Sequence, residues 1–402
     1  MKKVFFSRIG CFLLMATTSF SQKKNDYHRF GNVGVEDFAK KSYDIDTSAD
    51  AVYLFDNASS HHTGNSSGTF SVVFEVHTRI RLLRKKSFGD LATVEIHMYK
   101  WNHDKDVMND IDAATYNIEN GKVVVTKLAK NAFYTIQSGE DQVIKFTFPN
   151  LREGSIIEYS YKKTFPNYQY LPSWQFQDQY PKLECIYETE VPDFFQFVTM
   201  NQGYLKIAKE NVSYSADNFF IVDPDAKIFS PTSIISLRST TTKHTWDYRN
   251  VPGLKTEPFI SQLGNYVQKV SFQFSAISFE GEAPKYYLHS WTQAAEELLK
   301  DKDFGADLSK KNGWLDDEMP AGINEIKEPL AKAEKLFLSV RDHYKCSKDY
   351  GMYLTQSLKK VVDAKSGNVA DINLLLVAML RNAGLTANPL ILSTRDHGKA
   401  FD

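Results

Sequence analysis

Hydrophobic and polar residues alternate along the first two thirds of the chain. Phe74, Val76 and Ile80 alternate with polar or charged neighbours, which is the period of two expected of a strand with one buried face. Similar runs recur at residues 94–98, 143–148, 156–161, 197–200, 219–222, 245–248 and 270–274. Since no helical period occurs before about residue 290, we predict an antiparallel β-sandwich over residues 70–285.

A turn sequence separates two apolar runs within residues 116–128. Asn120-Gly121 favours a type I′ turn, because both central positions of that turn take positive φ. The sequence therefore predicts a tight β-hairpin here.

Residues 22–69 precede the predicted sandwich as an N-terminal extension. Its stretch 57–68, NASSHHTGNSSG, has no period and has the Ser, Gly and Asn content of turns. We expect residues 57–68 to form a surface loop.

The period becomes helical after residue 285. Ser290 precedes a run of helix-forming residues and is typical of a helix start. Spacings of three and four predict the buried stripe of a second helix, which consists of Leu330, Ala333, Phe337, Val340 and Tyr344. A third helix runs through residues 372–380 and ends at Gly384, where a positive φ can cap it. Residues 388–392 then resemble a strand, so residues 286–402 are predicted to form an α+β segment.

The first 21 residues have the organisation of a secretory signal peptide. Lys2, Lys3 and Arg8 precede a short apolar run, and Ser21 offers a small residue for cleavage. That run is too short to span a membrane, and no later segment has about 18 consecutive apolar residues. We expect an exported protein, with the periplasm as the best-fitting compartment and no transmembrane segment after cleavage.

The charge balance and the cysteines narrow the class of protein further. The chain has 48 Lys and Arg against 49 Asp and Glu, so no strong electrostatic attraction to nucleic acid is expected. Only Cys185 and Cys346 would remain after cleavage. Two free, buried thiols are the simpler interpretation, and pairing in an oxidising compartment is the alternative.

Two groups of residues resemble parts of a nucleophilic site. Cys346 follows His343 by three residues, with Asp342 beside them, and such a pair can touch on one helical face. A nucleophile usually receives its base from a different element, so ordinary polar residues at a helix end are favoured. His397 follows the predicted strand, and a loop role is favoured for it.

Two charged groups are predicted to be solvated. The first is an acidic cluster formed by His103, Asp104, Asp106, Asp110 and Asp112. It lacks the Gly and Glu order of a calcium-binding loop, so no metal site is assigned. The second is a basic group on the exposed side of a predicted strand and its turn, formed by Arg79, Arg81, Arg84, Lys85 and Lys86.

A dense aromatic group lies between residues 161 and 180. Its members are Tyr161, Phe165, Tyr168, Tyr170, Trp174, Phe176 and Tyr180. Exposed rings of this kind could stack on sugars, but core packing between domains is the favoured explanation.

Residues 366–385, SGNVADINLLLVAMLRNAGL, resemble the nucleophile helix of transglutaminase-like proteins. The family pattern is matched in order by Gly367, Asp371, Leu380, Arg381, Ala383 and Gly384, followed by the strand-like residues at Leu390. Residues 148–159 and 174–177 are similar to the β-rich domain of unknown function that precedes transglutaminase-like domains in exported proteins. The resemblance covers roughly residues 50–402 and implies an incomplete transglutaminase-like (papain-like) segment.

The resemblance also implies that the chain departs from the family chemistry. The family cysteine would stand at position 369, which is Val369 here, and a valine has no nucleophilic or ionisable atom. The family's His and Asp come from strands beyond the first one, whereas the sequence ends at Asp402. We therefore assign no catalytic, cofactor-binding or metal-binding residue.

The leading functional hypothesis is an exported, non-catalytic binding or scaffolding protein with a degenerate transglutaminase-like domain. Its partner would be a protein, a peptide or a glycan. The alternative is an enzyme of the transglutaminase-like or cysteine-peptidase class that acts on peptide or amide substrates in its full-length form. A third hypothesis gives the segment a purely structural role.

Overall fold

The computed structural model describes residues 27–101, 104–139, 141–222, 234–260, 262–287, 290–310 and 312–394. The chain divides into two compact units. Unit 1 comprises the chain up to Pro258 together with residues 266–274, and unit 2 comprises residues 259–265 and 275–402. A large, mostly antiparallel sheet is followed by a helical segment, which confirms the predicted α+β class.

Strands dominate the first unit. They are β1 (Ala51–Gly64), β2 (Phe70–Leu82), β3 (Thr93–Met98), β4 (Lys100–Trp101), β5 (Asp104–Lys105), β6 (Val107–Glu119), β7 (Lys122–Lys127), β8 (Tyr134–Ser138), β9 (Asp141–Thr147), β10 (Ile156–Phe165), β11 (Trp174–Gln175), β12 (Lys182–Pro192), β13 (Phe195–Gln202), β14 (Lys209–Val222), β15 (Ile234–Val251) and β16 (Lys269–Ile277), with the short helix α1 (Phe88–Leu91). Every strand run predicted from the alternation lies in one of these strands, except that Phe148 follows the end of β9.

Eight of the strands form one sheet, in the order β14-β15-β12-β1-β2-β10-β6-β7. All neighbours are antiparallel except β1 and β12, which run parallel. Two smaller sheets, β3-β9-β8 and β11-β16-β13, share apolar clusters with the large sheet. The buried side chains Val72, Trp246 and Val270 belong to one of these clusters. Sheet therefore packs on sheet, as the alternating pattern predicted.

The predicted hairpin is confirmed. Strands β6 and β7 pair in register from Ala114 with Lys127 to Glu119 with Lys122. The connecting residues Asn120 and Gly121 have φ of 50° and 74°, the positive values that a type I′ turn requires.

The surface-loop prediction for residues 57–68 is wrong over most of its length, because residues 57–64 continue the central strand β1. The neighbouring strand β12 and the connection between β10 and β11 supply partners for its polar side chains. The Ser60 hydroxyl lies 2.8 Å from the Tyr187 hydroxyl, and Nε2 of His62 lies 3.0 Å from the carbonyl oxygen of Tyr168. Because these partners come from distant parts of the chain, the local composition of the segment does not indicate a strand.

The prediction of a solvated basic group is also wrong for its first two members. Arg79 and Arg81 are buried, whereas Arg84, Lys85 and Lys86 are exposed as expected. Nη2 of Arg79 donates to Oε1 of Glu158 at 2.7 Å, across the register pair that joins β2 and β10. The arginine is thus the cationic half of a buried ion pair.

Further donors complete the surroundings of Glu158. Nε2 of His77 lies 2.8 Å from its Oε1, the Tyr116 hydroxyl donates to Oε2 at 2.6 Å, and the backbone N–H of Gly31 donates to Oε2 at 3.0 Å. Burial alone would raise the pKa of Glu158, but the hydrogen bonds from His77, Arg79 and Tyr116 outweigh it and leave the pKa below its ordinary value. The carboxylate is therefore charged and fully paired.

The same ion pair holds the segment that precedes the first strand. Nη1 of Arg79 donates to the carbonyl oxygen of Tyr27 at 3.2 Å, and Nη2 donates to that of Arg29 at 3.3 Å. Residues 27–50 cover this side of the sheet through an apolar cluster that includes Tyr43 and Tyr116. Residues 27–64 of the N-terminal extension are thus part of the packed structure of unit 1.

Unit 2 is built around helices. They are α2 (Trp291–Lys300), α3 (Pro329–His343), α4 (Leu358–Ala364) and α5 (Val369–Asn382), with the short strands β17 (Lys285–Tyr286), β18 (Lys345–Lys348) and β19 (Ser366–Asn368). The helix start predicted at Ser290 is confirmed, since its side chain accepts from the Gln293 N–H. The helix end predicted at Gly384 is confirmed as well, with a φ of 79°. Residues 388–392, predicted as a strand, are irregular, and residues 390–392 are exposed.

The buried face of α3 differs from the predicted stripe. Val340 is buried as expected, but Leu330 and Phe337 are 74% and 51% exposed, and Leu336 is buried instead. Leu330 and Phe337 line an apolar groove of about 500 Å³ with Leu376 and other residues of α3 and α5. Of the predicted stripe, the core of unit 2 therefore buries Val340 but neither Leu330 nor Phe337.

We predict that Arg79→Ala destabilises unit 1 by about 3–5 kcal/mol, because it leaves the Glu158 carboxylate buried without its cation. The matched control is Lys162→Ala. Lys162 pairs with Glu75 at 2.7 Å between the same two strands, but both side chains are 44–45% exposed. Removing this exposed pair should cost about 0–1 kcal/mol. Urea unfolding of both variants measures the difference, and equal losses would contradict a dominant role for the buried pair.

Candidate functional site

The N-terminus of α5 is the candidate site, because the motif of residues 366–385 begins there. The helix starts at Val369 and is capped by Asn368. Oδ1 of Asn368 accepts from the Asp371 N–H at 2.7 Å, and Oδ2 of Asp371 accepts from the Asn368 N–H at 2.9 Å. This reciprocal capping box fixes the point at which the strand becomes a helix.

A loop of residues 350–356 is attached to the same helix end. Oδ1 of Asp371 accepts from the Thr355 N–H at 2.9 Å, and Oδ2 accepts from the Thr355 hydroxyl at 2.6 Å. Nδ2 of Asn368 donates to the carbonyl oxygen of Tyr353 at 3.1 Å. Asp371 is fully buried, so its carboxylate is the point where loop, strand and helix meet.

Gly367 of the motif leaves room that a larger side chain would fill. A Cβ added to Gly367 would lie 2.5 Å from Cβ of Asp371. Any larger residue at this position would displace the Asp371 carboxylate, which binds Thr355 of the loop.

The chemistry of this helix end is set by Val369, which is half-buried at the first helical position. Backbone N–H groups and the positive end of the helix dipole favour an anion here, and a cysteine at this position would gain thiolate character. The valine side chain offers neither a lone pair nor a proton. The first residue of α5 is therefore not a nucleophile.

Family comparisons agree with this geometry. Residues 69–255 match the domain of unknown function DUF3857, and residues 318–401 match the transglutaminase-like superfamily. Residues 318–401 are therefore similar to transglutaminase-like proteins. The predicted combination of a β-rich domain of unknown function with such a segment is thereby confirmed. No curated protein matches the sequence.

Several solved structures are similar to the chain at low identity. A proposed protease from Parabacteroides distasonis shares 15% identity at a TM-score of 0.48, and the match covers 83% of this chain and 59% of that protein. A proposed nutrient-binding protein from Legionella pneumophila shares 10% identity at a TM-score of 0.23, covering 83% of this chain and 94% of that one. An M1 zinc metallopeptidase from Deinococcus radiodurans shares 10% identity at a TM-score of 0.20, covering 52% and 45%. This chain thus spans 59% of the length of the Parabacteroides protein.

Cys346 and His343, which are three residues apart in the sequence, do not form a pair of nucleophile and base. Helix α3 ends at His343, and Cys346 lies in β18, so the two are not on one helical face. Nδ1 of His343 lies 2.7 Å from the Ser339 carbonyl oxygen, while Sγ of Cys346 donates to the Lys348 carbonyl oxygen at 3.1 Å. Asp342 pairs with Arg341 at 2.7 Å. His397 lies outside the described residues.

Cys185 and Cys346 are free thiols with different surroundings. Cys185 is buried in unit 1, where the indole N–H of Trp174 donates to its sulfur at 3.3 Å. Burial raises the pKa of Cys185 to about 12, so this thiol is inert at neutral pH. Cys346 is exposed, contrary to the expectation that both thiols are buried.

The acidic cluster is not one site. Asp106 is buried, accepts from the Tyr99 N–H at 3.0 Å and pairs with Lys163 at 3.2 Å, whereas Asp104 and Asp110 are exposed. His103 lies outside the described residues. Among the residues with described positions, no three His, Cys, Asp or Glu side chains are grouped to hold a metal ion.

The aromatic group packs in a core, as favoured, but within unit 1 and not between domains. Phe165 and Phe176 are buried in the cluster between the large sheet and β16, and Tyr161 and Trp174 pack against it. Tyr180 is buried in the neighbouring cluster.

Sequence reasoning missed the role of Thr355, which binds Asp371 from 16 residues away. The spacing of Asn368 and Asp371 does carry a readable signal, because Asn-x-x-Asp before an apolar run is a capping box. Nothing in the local sequence marks Thr355.

We predict that Asp371→Ala destabilises unit 2 by at least about 2 kcal/mol, because Thr355 and Asn368 lose their buried acceptor. Asp363→Ala is the control, since Asp363 is exposed on α4 and should change stability by less than about 0.5 kcal/mol. Chemical denaturation and limited proteolysis of residues 345–385 measure the effect. Similar protease resistance of the two variants would show that Asp371 does not hold residues 350–356 in place.

Proposed function

We propose that this chain is an exported, non-catalytic binding or scaffolding protein whose transglutaminase-like segment has lost its nucleophile. The observation that carries the proposal is Val369 at the first position of α5. Covalent acyl transfer requires an atom that can attack a carbonyl carbon, and a valine has none.

The surroundings of Val369 support a retained structural or binding role. The capping box of Asn368 and Asp371 and the bonds to Thr355 keep the helix end ordered without the reacting group. Tyr350 and Tyr353 are exposed in the loop beside it. Exposed tyrosines give large contact area at a low entropic cost, which suits recognition of a protein, peptide or glycan.

A second candidate function is enzymatic. The match of residues 318–401 to the transglutaminase-like superfamily favours an enzyme of that class, acting on peptide or amide substrates in a longer protein. Such an enzyme would have to use a group other than residue 369.

We infer export from the first 21 residues, which lie outside the described part of the chain. Within the described residues, none of the helices has the length and apolar character needed to cross a membrane.

We predict no amine incorporation into glutamine peptides and no peptide hydrolysis by the purified protein. A Cys346→Ser protein should also show no labelling by iodoacetamide at neutral pH, because Cys185 is buried and its pKa is about 12. Adding Val369→Cys should create one labelled site, since the helix N-terminus stabilises a thiolate there.

The matched control is Asn373→Cys in the same Cys346→Ser background. Asn373 is exposed one turn further along α5, where the helix end contributes less. Its thiol should react at least several-fold more slowly at neutral pH than the thiol at position 369. Turnover that persists after replacement of both Cys185 and Cys346 would overturn the non-catalytic proposal in favour of a cysteine-independent enzyme.

We predict that the secreted protein begins near Gln22, because cleavage after Ser21 follows the basic and apolar parts of the signal. Intact-mass measurement of protein from the periplasmic fraction checks this. A soluble cytosolic product that retains Met1 would contradict export.

A further inference from the structure

A lysine and an aspartate lie against each other in the interior of unit 1. Lys182 begins β12 and is 3% exposed, and Asp56 on the neighbouring strand β1 is 7% exposed. Nζ of Lys182 donates to Oδ2 of Asp56 at 2.5 Å, although 126 residues separate the two in the sequence. The fold therefore holds an amine and a carboxyl group in direct contact, away from water.

An irregularity near the start of β1 turns Asp56 toward the lysine. The register with β2 shifts between Tyr53 and Phe55, which interrupts the alternation of faces at this point. Nζ of Lys182 lies 4.9 Å from the centre of the Tyr53 ring and also contacts Asp56 three residues later. Tyr53 and Asp56 thus face the same side of the sheet, which an unbroken strand would not allow.

The two oxygens of the Asp56 carboxyl group have different partners. The hydroxyl of Thr78, a fully buried residue, donates to Oδ1 at 2.7 Å. Oδ2 faces the ammonium group of Lys182. Oδ1 is thereby held as a carbonyl-like oxygen, and Oδ2 is the oxygen that the lysine can protonate.

The surroundings of the pair favour a neutral product. Nζ of Lys182 also donates to the Gln175 carbonyl oxygen at 3.3 Å. Cys185 on the same strand is fully buried, and Tyr159 and Trp174 pack against the apolar cluster that includes it. Two ions in such an interior have lost their hydration, and an amide in their place would avoid that cost.

The proton that blocks the amine has a direct path away from it. Burial by itself would lower the pKa of Lys182, but the neighbouring Asp56 carboxylate outweighs burial and raises it. The pair therefore starts as an ammonium and a carboxylate. The hydrogen bond from Nζ to Oδ2 can carry a proton between them, and the neutral amine and carboxylic acid are penalised less here than in water because neither ion is hydrated.

We propose that Lys182 and Asp56 condense to form an isopeptide bond between β12 and β1. Nζ attacks Cγ of Asp56, the bond between Cγ and Oδ2 breaks, and Oδ2 leaves as water with two of the three ammonium protons. The third proton stays on the new amide nitrogen, so atoms and charges balance without a further reactant. Holding the two groups in contact replaces a bimolecular encounter, and such preorganisation corresponds to effective concentrations of about 10⁵–10⁸ M.

Two other Lys–carboxylate pairs of unit 1 lack this combination of features. Lys162 and Glu75 are 2.7 Å apart, but their side chains are 44–45% exposed and hydrated. Lys163 and Asp106 are buried, but their atoms are 3.2 Å apart and Oδ2 of Asp106 also accepts from the Tyr99 N–H at 3.0 Å. A backbone donor on that oxygen stabilises the carboxylate, so we expect both pairs to remain ionic.

The proposed bond lies in unit 1 and does not depend on the proposed role of the transglutaminase-like segment. It would close a covalent loop across 126 positions of the chain. A cross-link of this kind stabilises a fold by restricting its unfolded chain.

The test is peptide mapping of the purified full chain by mass spectrometry after unfolding and digestion with trypsin. Most molecules should give residues 42–79 joined to residues 164–206, with a mass lower than the sum of the two peptides by one water. Trypsin should not cut after Lys182, because its amine is acylated, and fragmentation should place the link at Asp56 and Lys182. The exposed pair of Lys162 and Glu75 is the internal control and should give no joined peptide.

Lys182→Met should abolish the joined peptide, whereas Lys162→Met should retain it. The map of the unsubstituted protein decides the question even if Lys182→Met does not fold. Recovery of the two peptides unjoined, with complete cleavage after Lys182, would overturn the proposal and leave an ion pair only. Equal joining of Lys162 to Glu75 would also overturn it, because proximity during preparation would then account for the product.

Discussion

The buried ion pair of Arg79 and Glu158 is the constraint on which unit 1 depends. Neither charge can be left without the other inside the structure, since an isolated buried ion costs several kcal/mol. The pair ties β2 to β10 in one register, and the remaining donors of Arg79 reach the backbone of Tyr27 and Arg29. One electrostatic requirement therefore positions two strands and the segment that covers them.

In unit 2 as well, a buried acidic side chain holds neighbouring segments together. The buried carboxylate of Asp371 binds backbone and side-chain groups of Thr355 and Asn368, and this fixes the start of α5. These bonds order the helix end around Val369, a residue whose side chain cannot form a hydrogen bond. The stability of the helix end thus comes from Asn368, Asp371 and Thr355 and not from residue 369.

The helix end and the cavity of about 470 Å³ beside the end of β1 differ in how they are assembled. The helix end is built mostly from residues 350–371, and its main polar bonds span 16 residues or fewer. The cavity is lined by strands whose residues lie more than a hundred positions apart, from His61 to Lys243. A cavity of this kind depends on the packing of the whole sheet, so no short sequence motif indicates it.

The sequence by itself determined the elements whose signal is local. Alternation located the strands, Asn120-Gly121 fixed the hairpin turn through positive φ, and the spacing of Gly367 to Gly384 identified the helix of a transglutaminase-like segment. Only the tertiary structure decided which polar residues are buried. Residues 57–64 form a central strand and Arg79 lies in the interior because their partners, among them Tyr187 and Glu158, come from strands 79 to 127 residues away. Burial of a polar group is decided by the partner that satisfies it, and that partner is not a property of the local sequence.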